Sequence, residues 1–233
     1  MATATPEIRA LTASAFRAPA KFTEFCKNNG KPLGGIIDGE QVRGAMNVTF
    51  ETIDPGTQEV LAVVCEMSDA EVAKAVAAAQ RAFDGAGAKS WRNADVEERI
   101  RLCNKLVELC ERDRDVLLAC EIFDGGKVSE LAEGDFTQIR ECAAYFSGVA
   151  RKIKQGDSAA MKVADGVKAF THREPWGVVA GIIPWNYPIV LTSWFMFPAL
   201  LAGNTILIKP GKTRRSRPST SPSSPARPAS RRA

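Results

Sequence analysis

Histidine is almost missing from this chain of 233 residues: His172 is its one copy. The six cysteines, Cys26, Cys65, Cys103, Cys110, Cys120 and Cys142, include no C-x-x-C pair. A structural zinc site needs four N, S or O ligands at suitable spacings, so no metal is expected. Cys103 and Cys110 lie seven apart in a helical pattern and share a face, which reads as buried thiols. Six scattered cysteines suit a reducing compartment. An apolar h-region is also missing near the N-terminus, which excludes the secretory reading. With 45% hydrophobic and 25% charged residues, the chain is neither a small disulfide scaffold nor wholly disordered.

Acid is absent from the last 23 residues. Residues 211–233 hold Lys212, Arg214, Arg215, Arg217, Arg227, Arg231 and Arg232, together with six Ser and four Pro. The net charge of +4 therefore belongs to the tail: taking seven from the 31 basic residues leaves 24 against 27 acids, a net of −3 for residues 1–210. The tail has no aliphatic side chain larger than Ala, so a disordered basic appendix is expected. Residues 1–33 are Ala/Thr-rich, with Arg9, Arg17, Lys21 and few acids. They read as an N-terminal extension of a cytoplasmic protein, with mitochondrial or plastid import as the alternative.

Between these ends the pattern is mixed. Gly34 to Thr57 reads as short strands and turns, with a hairpin at Asp38-Gly39. Ser68-Asp-Ala-Glu71 is a capping box before a helix carrying Val72, Ala75, Val76, Ala79 and Phe83, which Gly85 and Gly87 end. A second helix starts near Asp95, with Ile100, Cys103, Leu106, Val107 and Cys110 as its stripe. A third carries Val116, Leu117, Ala119 and Ile122 and stops at Gly125-Gly126. A fourth runs from about Ser129 to Ala150. Asp165-Gly166 then marks a second hairpin with a type I′ turn expected.

Charge is also missing from Pro175 to Ile208. The length alone would suit a transmembrane helix. Gly177, Gly181, Pro184, Pro188, Pro198 and Gly203 cut it into pieces, and a soluble βαβ unit is the better reading. Val178 to Ile183 is a buried parallel strand, Tyr187 to Leu201 a helix, and Asn204 to Ile208 a second strand. Ligands of open α/β sheets sit beyond the carboxyl ends of strands. Those ends carry Pro184-Trp185-Asn186 and Lys209-Pro210. An indole, an amide and an ammonium side by side suit an anionic aromatic ligand such as a nucleotide. They equally suit a buried Trp, a satisfied Asn and a surface Lys.

The segment Gly-Val-Val-Ala-Gly-Ile-Ile-Pro-Trp-Asn-Tyr-Pro (177–188) resembles the signature of the aldehyde dehydrogenase superfamily. So do Trp194 and Pro198 to Pro210, the Ile53 to Val60 element, Glu121-Ile-Phe-Asp-Gly-Gly-Lys127, and Arg173-Glu-Pro175. The resemblance runs from about residue 34 to 210. It implies an α/β fold: the N-terminal part of the aldehyde dehydrogenase fold, an incomplete Rossmann-like nucleotide-binding domain (34–151 and 171–210) with an oligomerisation β-hairpin (152–170). It implies that NAD or NADP, with NAD favoured, accepts hydride from a thiohemiacetal formed by a Cys thiolate on a small-molecule aldehyde. A Glu-activated water then releases the acid.

By the same carry-over, Asn186 donates its carboxamide to the oxyanion. Ile182, Ile183, Pro184 and Trp185 line the cofactor, and Lys209 bonds the adenosine ribose. Tyr187, Leu191 and Trp194 line the substrate tunnel. The family forms homo-oligomers, and neither nucleic acid nor membrane is an expected partner. The nucleophilic Cys, the general-base Glu and the glycine-rich cofactor segment lie beyond the family region represented here, so these 233 residues are expected to be inactive alone. The alternative is a non-catalytic remnant that pairs with full-length subunits.

The family continues Lys-Pro-Ser-Glu where this chain has Gly211-Lys212, so its acidic ribose ligand is absent. Arg/Ser/Pro/Ala richness is what a GC-rich gene yields out of register. Back-translating Arg214 to Ala233 with chosen codons, and reading two bases on, yields an amphipathic helix ending in Gly and Pro. A frameshift near residues 211–214 is therefore expected. The rival is a basic tail that binds nucleic acid or is phosphorylated at Ser-Pro sites.

Overall fold

The computed structural model describes residues 18–85, 90–155, 161–169 and 173–211. His172, Gly87, the first 17 residues and residues 212–233 lie outside the described residues, and with them the expectations for the transit-like stretch and the tail. In chain order the elements are α1 (Ala20–Lys27), β1 (Gly35–Ile37), β2 (Glu40–Val42), β3 (Thr49–Ile53), β4 (Val60–Cys65), α2 (Asp69–Asp84), α3 (Val96–Arg112) and α4 (Arg114–Ala119). After a π-helical turn (Cys120–Asp124) come α5 (Ser129–Gln155), β5 (Met161–Ala164), β6 (Val167–Ala169), β7 (Val178–Ile182), α6 (Pro188–Leu201) and β8 (Thr205–Lys209).

Local chemistry places most boundaries. Asp38 and Gly39 both take positive φ, 55° and 80°, the requirement of a type I′ turn, and β1 pairs β2 antiparallel across them. Glu71 accepts from the Ser68 backbone N–H at 3.0 Å and from its hydroxyl at 2.6 Å, fixing the start of α2. Asp95 Oδ1 accepts from the Glu97 N–H at 2.9 Å and starts α3. The second hairpin forms, but not with the expected turn. Of the two turn residues only Gly166 takes positive φ, so the turn is not type I′, and the register of the ladder shifts between Lys162 and Ala164.

Two further expectations are extended. Helix α5 continues to Gln155, past Ala150 and into the stretch assigned to the hairpin arm. Arg151 forks onto Glu97 of α3 with two bonds of 2.9 Å, so the added turn is tied to the body. The N-terminal extension contains α1, whose buried Phe22 stacks on Phe123 at 5.5 Å.

The core lies where α3, α5 and α6 meet, with Leu118 of α4. Ile100, Cys103, Phe136, Ile139, Ala143, Phe197 and Leu201 are buried together there. Ala132, Ala143 and Ala150 on α5 are small enough to let helices approach closely. Strands β7 and β8 pair in parallel, Val178 opposite Thr205 and Ile182 opposite Lys209, with α6 as the crossover. Asn204 fixes the start of the pair by accepting the Gly177 N–H at 3.0 Å. Among the described residues, no helix is long and apolar enough to cross a membrane; α6 spans 14 residues.

Candidate functional site

Parallel strands β7 and β8 deliver their carboxyl ends to the same place. The Ile183 N–H donates to the Lys209 carbonyl at 2.9 Å, extending the ladder by one bond. Beyond it the two chains stay in contact. A side-chain carbon placed on Gly211 would lie 2.9 Å from the Trp185 nitrogen, so the backbone after β8 crosses directly over the Pro184-Trp185 turn. Ile182, Trp185 and Lys209 are thereby gathered at one end of the strands, all exposed. Trp185 is 64% exposed, which removes the alternative of a buried indole. Ile183 differs: its side chain is 2% exposed and faces the interior, leaving only its backbone at this end.

Asn186 is exposed on the turn that follows, and no described residue hydrogen-bonds its side chain. Tyr187 caps α6, and the Leu191 N–H donates to its carbonyl at 2.9 Å. Residues 187, 191 and 194 fall at helical spacing on one face, with Tyr187 and Trp194 exposed and Leu191 half-buried. The other face is Val190, Ser193, Phe197 and Leu201, buried in the core. The helix thus divides into a packing face and a solvent-facing stripe that begins beside Asn186.

Sequence reasoning gave no role to the groups beneath this turn. Glu121 Oε1 accepts the Ile189 N–H at 3.1 Å. Lys127 Nζ lies 2.7 Å from Glu121 Oε2, donates also to Asp135 Oδ2, and sits 4.3 Å from the centroid of the Tyr187 ring. Burial would depress the Lys127 ammonium, but hydrogen bonds to Asp135 and Glu121 outweigh it and hold its pKa above the ordinary value.

The cysteines have the opposite setting. Burial pushes the Cys103 thiol up to about 11 against the opposing charge of Arg99. Burial, with the charges of Cys26, Asp124 and Glu121, pushes Cys120 up to about 12. Burial also raises Cys26, Cys110 and Cys142. A thiol so shifted is a poor nucleophile at neutral pH. No group of three or more His, Cys, Asp or Glu that could hold a metal occurs among the described residues.

The sequence model of the aldehyde dehydrogenase family matches residues 42–215. The chain belongs to that family. An aldehyde dehydrogenase of Aspergillus niger is 40% identical over 179 residues, 77% of this chain and 35% of the relative. Aldehyde dehydrogenase 1 of Tanacetum cinerariifolium is 41% identical over 180 residues, covering 76% and 34%. The solved NAD+ complex of aldehyde dehydrogenase from Bacillus cereus superposes with a TM-score of 0.74 at 35% identity, over 83% of this chain and 38% of that one. The chain thus spans about a third of the length of the aldehyde dehydrogenases it matches, and its architecture is a partial aldehyde dehydrogenase fold.

Proposed function

We propose that this chain is the N-terminal part of an NAD(P)-dependent aldehyde dehydrogenase that oxidises an aldehyde to a carboxylic acid, with Asn186 as its oxyanion donor. The observation that carries this is the placement of Asn186. An exposed carboxamide, with no hydrogen bond to any described residue, sits at the carboxyl end of β7 and just before the N-terminus of α6. A carboxamide can donate to a developing oxyanion without changing its own charge, and the positive end of the helix dipole adds in the same sense.

Lys209, Trp185, Ile182, Pro184 and the backbone of Ile183 fit a nucleotide at the strand ends, as the general placement of ligands in α/β sheets requires. The nicotinamide would supply a hydride acceptor. NAD is the favoured form, on the ground of the NAD+ complex of the Bacillus cereus neighbour. The tunnel assignment of Tyr187, Leu191 and Trp194 is supported by their common solvent-facing stripe. In this reading the protein is cytoplasmic and assembles as a homo-oligomer.

The reading also holds that the 233 residues do not turn over by themselves, and that a frameshift near residue 211 produced the basic tail. The raised thiols support the first part. The compositional break supports the second, and the coding DNA tests it: an alternative frame without aldehyde dehydrogenase sequence refutes it. The purified chain should show no aldehyde-dependent NAD reduction, and turnover would overturn the claim of inactivity. In an active enzyme containing this segment, Asn186→Ala should lower kcat by roughly 10²–10³-fold. Lys209→Ala should instead raise the KM for the dinucleotide, with kcat little changed. Equal loss of kcat in both variants would refute the division of roles.

A further inference from the structure

Three charges are buried together beneath the turn that carries Asn186. Glu121 is 4% exposed and Asp135 1%, and the Lys127 ammonium bridges them. Charges are costly to bury unless each is paired and hydrogen-bonded. Two carboxylates against one ammonium leave a surplus negative charge, and its destination is informative. The free oxygen of Glu121 takes the Ile189 N–H at 3.1 Å. Pro188 has no N–H, so this is the first main-chain donor that α6 offers. The surplus charge therefore rests at the positive end of the helix. On its other side Lys127 lies against the Tyr187 ring at 4.3 Å, within cation–π range.

The cluster thus holds the first and the third residue after Asn186. Glu121 sits on a π-helical turn, closed by the Gly125 N–H on the Cys120 carbonyl at 3.3 Å. Such turns are rare and recur at functional sites.

The geometry points to Glu121, Lys127 and Asp135 as a positioning unit for the Asn186 turn. Glu121 and Lys127 grip it directly, and Asp135 orients Lys127. The catalytic meaning of the unit rests on the proposed role of Asn186, but its existence does not.

The test uses neither aldehyde nor cofactor. The chain has two tyrosines, so incorporation of fluorotyrosine gives two fluorine resonances, assigned with Tyr145→Phe. Tyr145 lies on the same helix as Asp135, is exposed, and serves as the internal control. Lys127→Met should move the Tyr187 resonance toward its position in an unfolded chain and leave that of Tyr145 in place. Asp135→Asn should move it less, in the same direction. A merely structural role would move both resonances together.

In the unmutated chain the Ile189 amide should exchange about tenfold to a hundredfold more slowly than an unprotected amide. Glu121→Gln, which keeps an acceptor oxygen, should retain this protection, and Glu121→Ala should lose it. If Lys127→Met does not fold, the unmutated chain and the Glu121 pair still decide. A Tyr187 resonance at the unfolded position, or an unprotected Ile189 amide, in the unmutated chain overturns the proposal. So does a folded Lys127→Met with Tyr187 unmoved. Failure of the oxidation reading would leave all these spectra as expected, so the two can fail separately.

Discussion

Phe197 and Phe195 lie two residues apart on α6 and should respond very differently to truncation. Phe197 is 0% exposed and sits among the buried side chains of α3 and α5, whereas Phe195 is 45% exposed. Both substitutions to Ala make the same small gain in helix propensity, a few tenths of a kcal/mol at roughly equal positions in the helix. The difference between them therefore isolates burial and cavity formation. Removing a fully buried phenyl ring costs about 3–5 kcal/mol, lost transfer energy plus the void left behind. Removing the half-exposed ring should cost under about 1 kcal/mol. A domain holds about 5–15 kcal/mol in total, so Phe197→Ala should take roughly a fifth of it or more. For a body of this size that is a fall in Tm of roughly 6–20 °C. Phe197→Leu keeps most of the volume and should cost about 1.5 kcal/mol or less. Urea unfolding of the purified chain, followed by far-UV circular dichroism, gives the midpoints. The slope should not change, because the surface exposed on unfolding is nearly the same. Equal midpoints for the Phe197 and Phe195 variants would refute the placement of the core between α3, α5 and α6.

Lys127→Met strands two buried carboxylates and should cost about 3–5 kcal/mol; adding Glu121→Gln and Asp135→Asn should recover most of it in the same urea assay, and no recovery would mean that charge is not the cause. The thiols give an alkaline limit. Cys103 and Cys120 rise from an ordinary 9.0 to about 11 and about 12 on folding, so their contribution is whole below pH 9 and is lost as pH climbs through 11 to 12. Stability measured from pH 8 to 11 should fall with pH, Cys103→Ala/Cys120→Ala should flatten the profile, and an unchanged slope would contradict these burials. Gly39→Ala forces a Cβ into positive φ and should cost about 1–2 kcal/mol, read from thermal unfolding; a neutral result would mean that the turn relaxes.

What the sequence made legible was local. The hairpin at Asp38-Gly39 forms as expected, because its turn needs only two adjacent residues able to take positive φ. The capping box needs Ser68 and Glu71 three apart, and both ends of that bond lie in one turn. The βαβ unit was legible because apolar runs of strand and helix length, separated by Gly and Pro, admit few topologies. The second Asp-Gly pair shows the limit of this reasoning. The dipeptide is the same and still reverses the chain between Ala164 and Val167, but only Gly166 of the two takes positive φ, and the ladder shifts register just before the turn. Helix α5 outran its apolar stripe for a related reason. Its last turns carry the Arg151–Glu97 pair, 54 positions apart, a contact that no periodicity reports.

The candidate site divides along the same line. The place of Asn186, Trp185 and Lys209 beyond the strand ends was legible because the strands themselves were legible. The support beneath them was not. Glu121 meets the Ile189 N–H across 68 positions, and Asp135, which shares Lys127 with it, lies on a different helix. Taken alone, Glu121, Lys127 and Asp135 have the composition of an ordinary solvated face. The tertiary fold turns them into a bonded group, with Glu121 brought from its π-helical turn to the start of α6 and Asp135 from α5 to Lys127. A residue that donates to substrate is marked by its own chemistry and its place in a motif. A residue that positions the donor is marked by what it touches, and that is fixed by the tertiary fold. The consequence is asymmetric. Single-sequence reading finds the groups that face a ligand more readily than the groups that hold them still, although the second set bears the greater cost of burial.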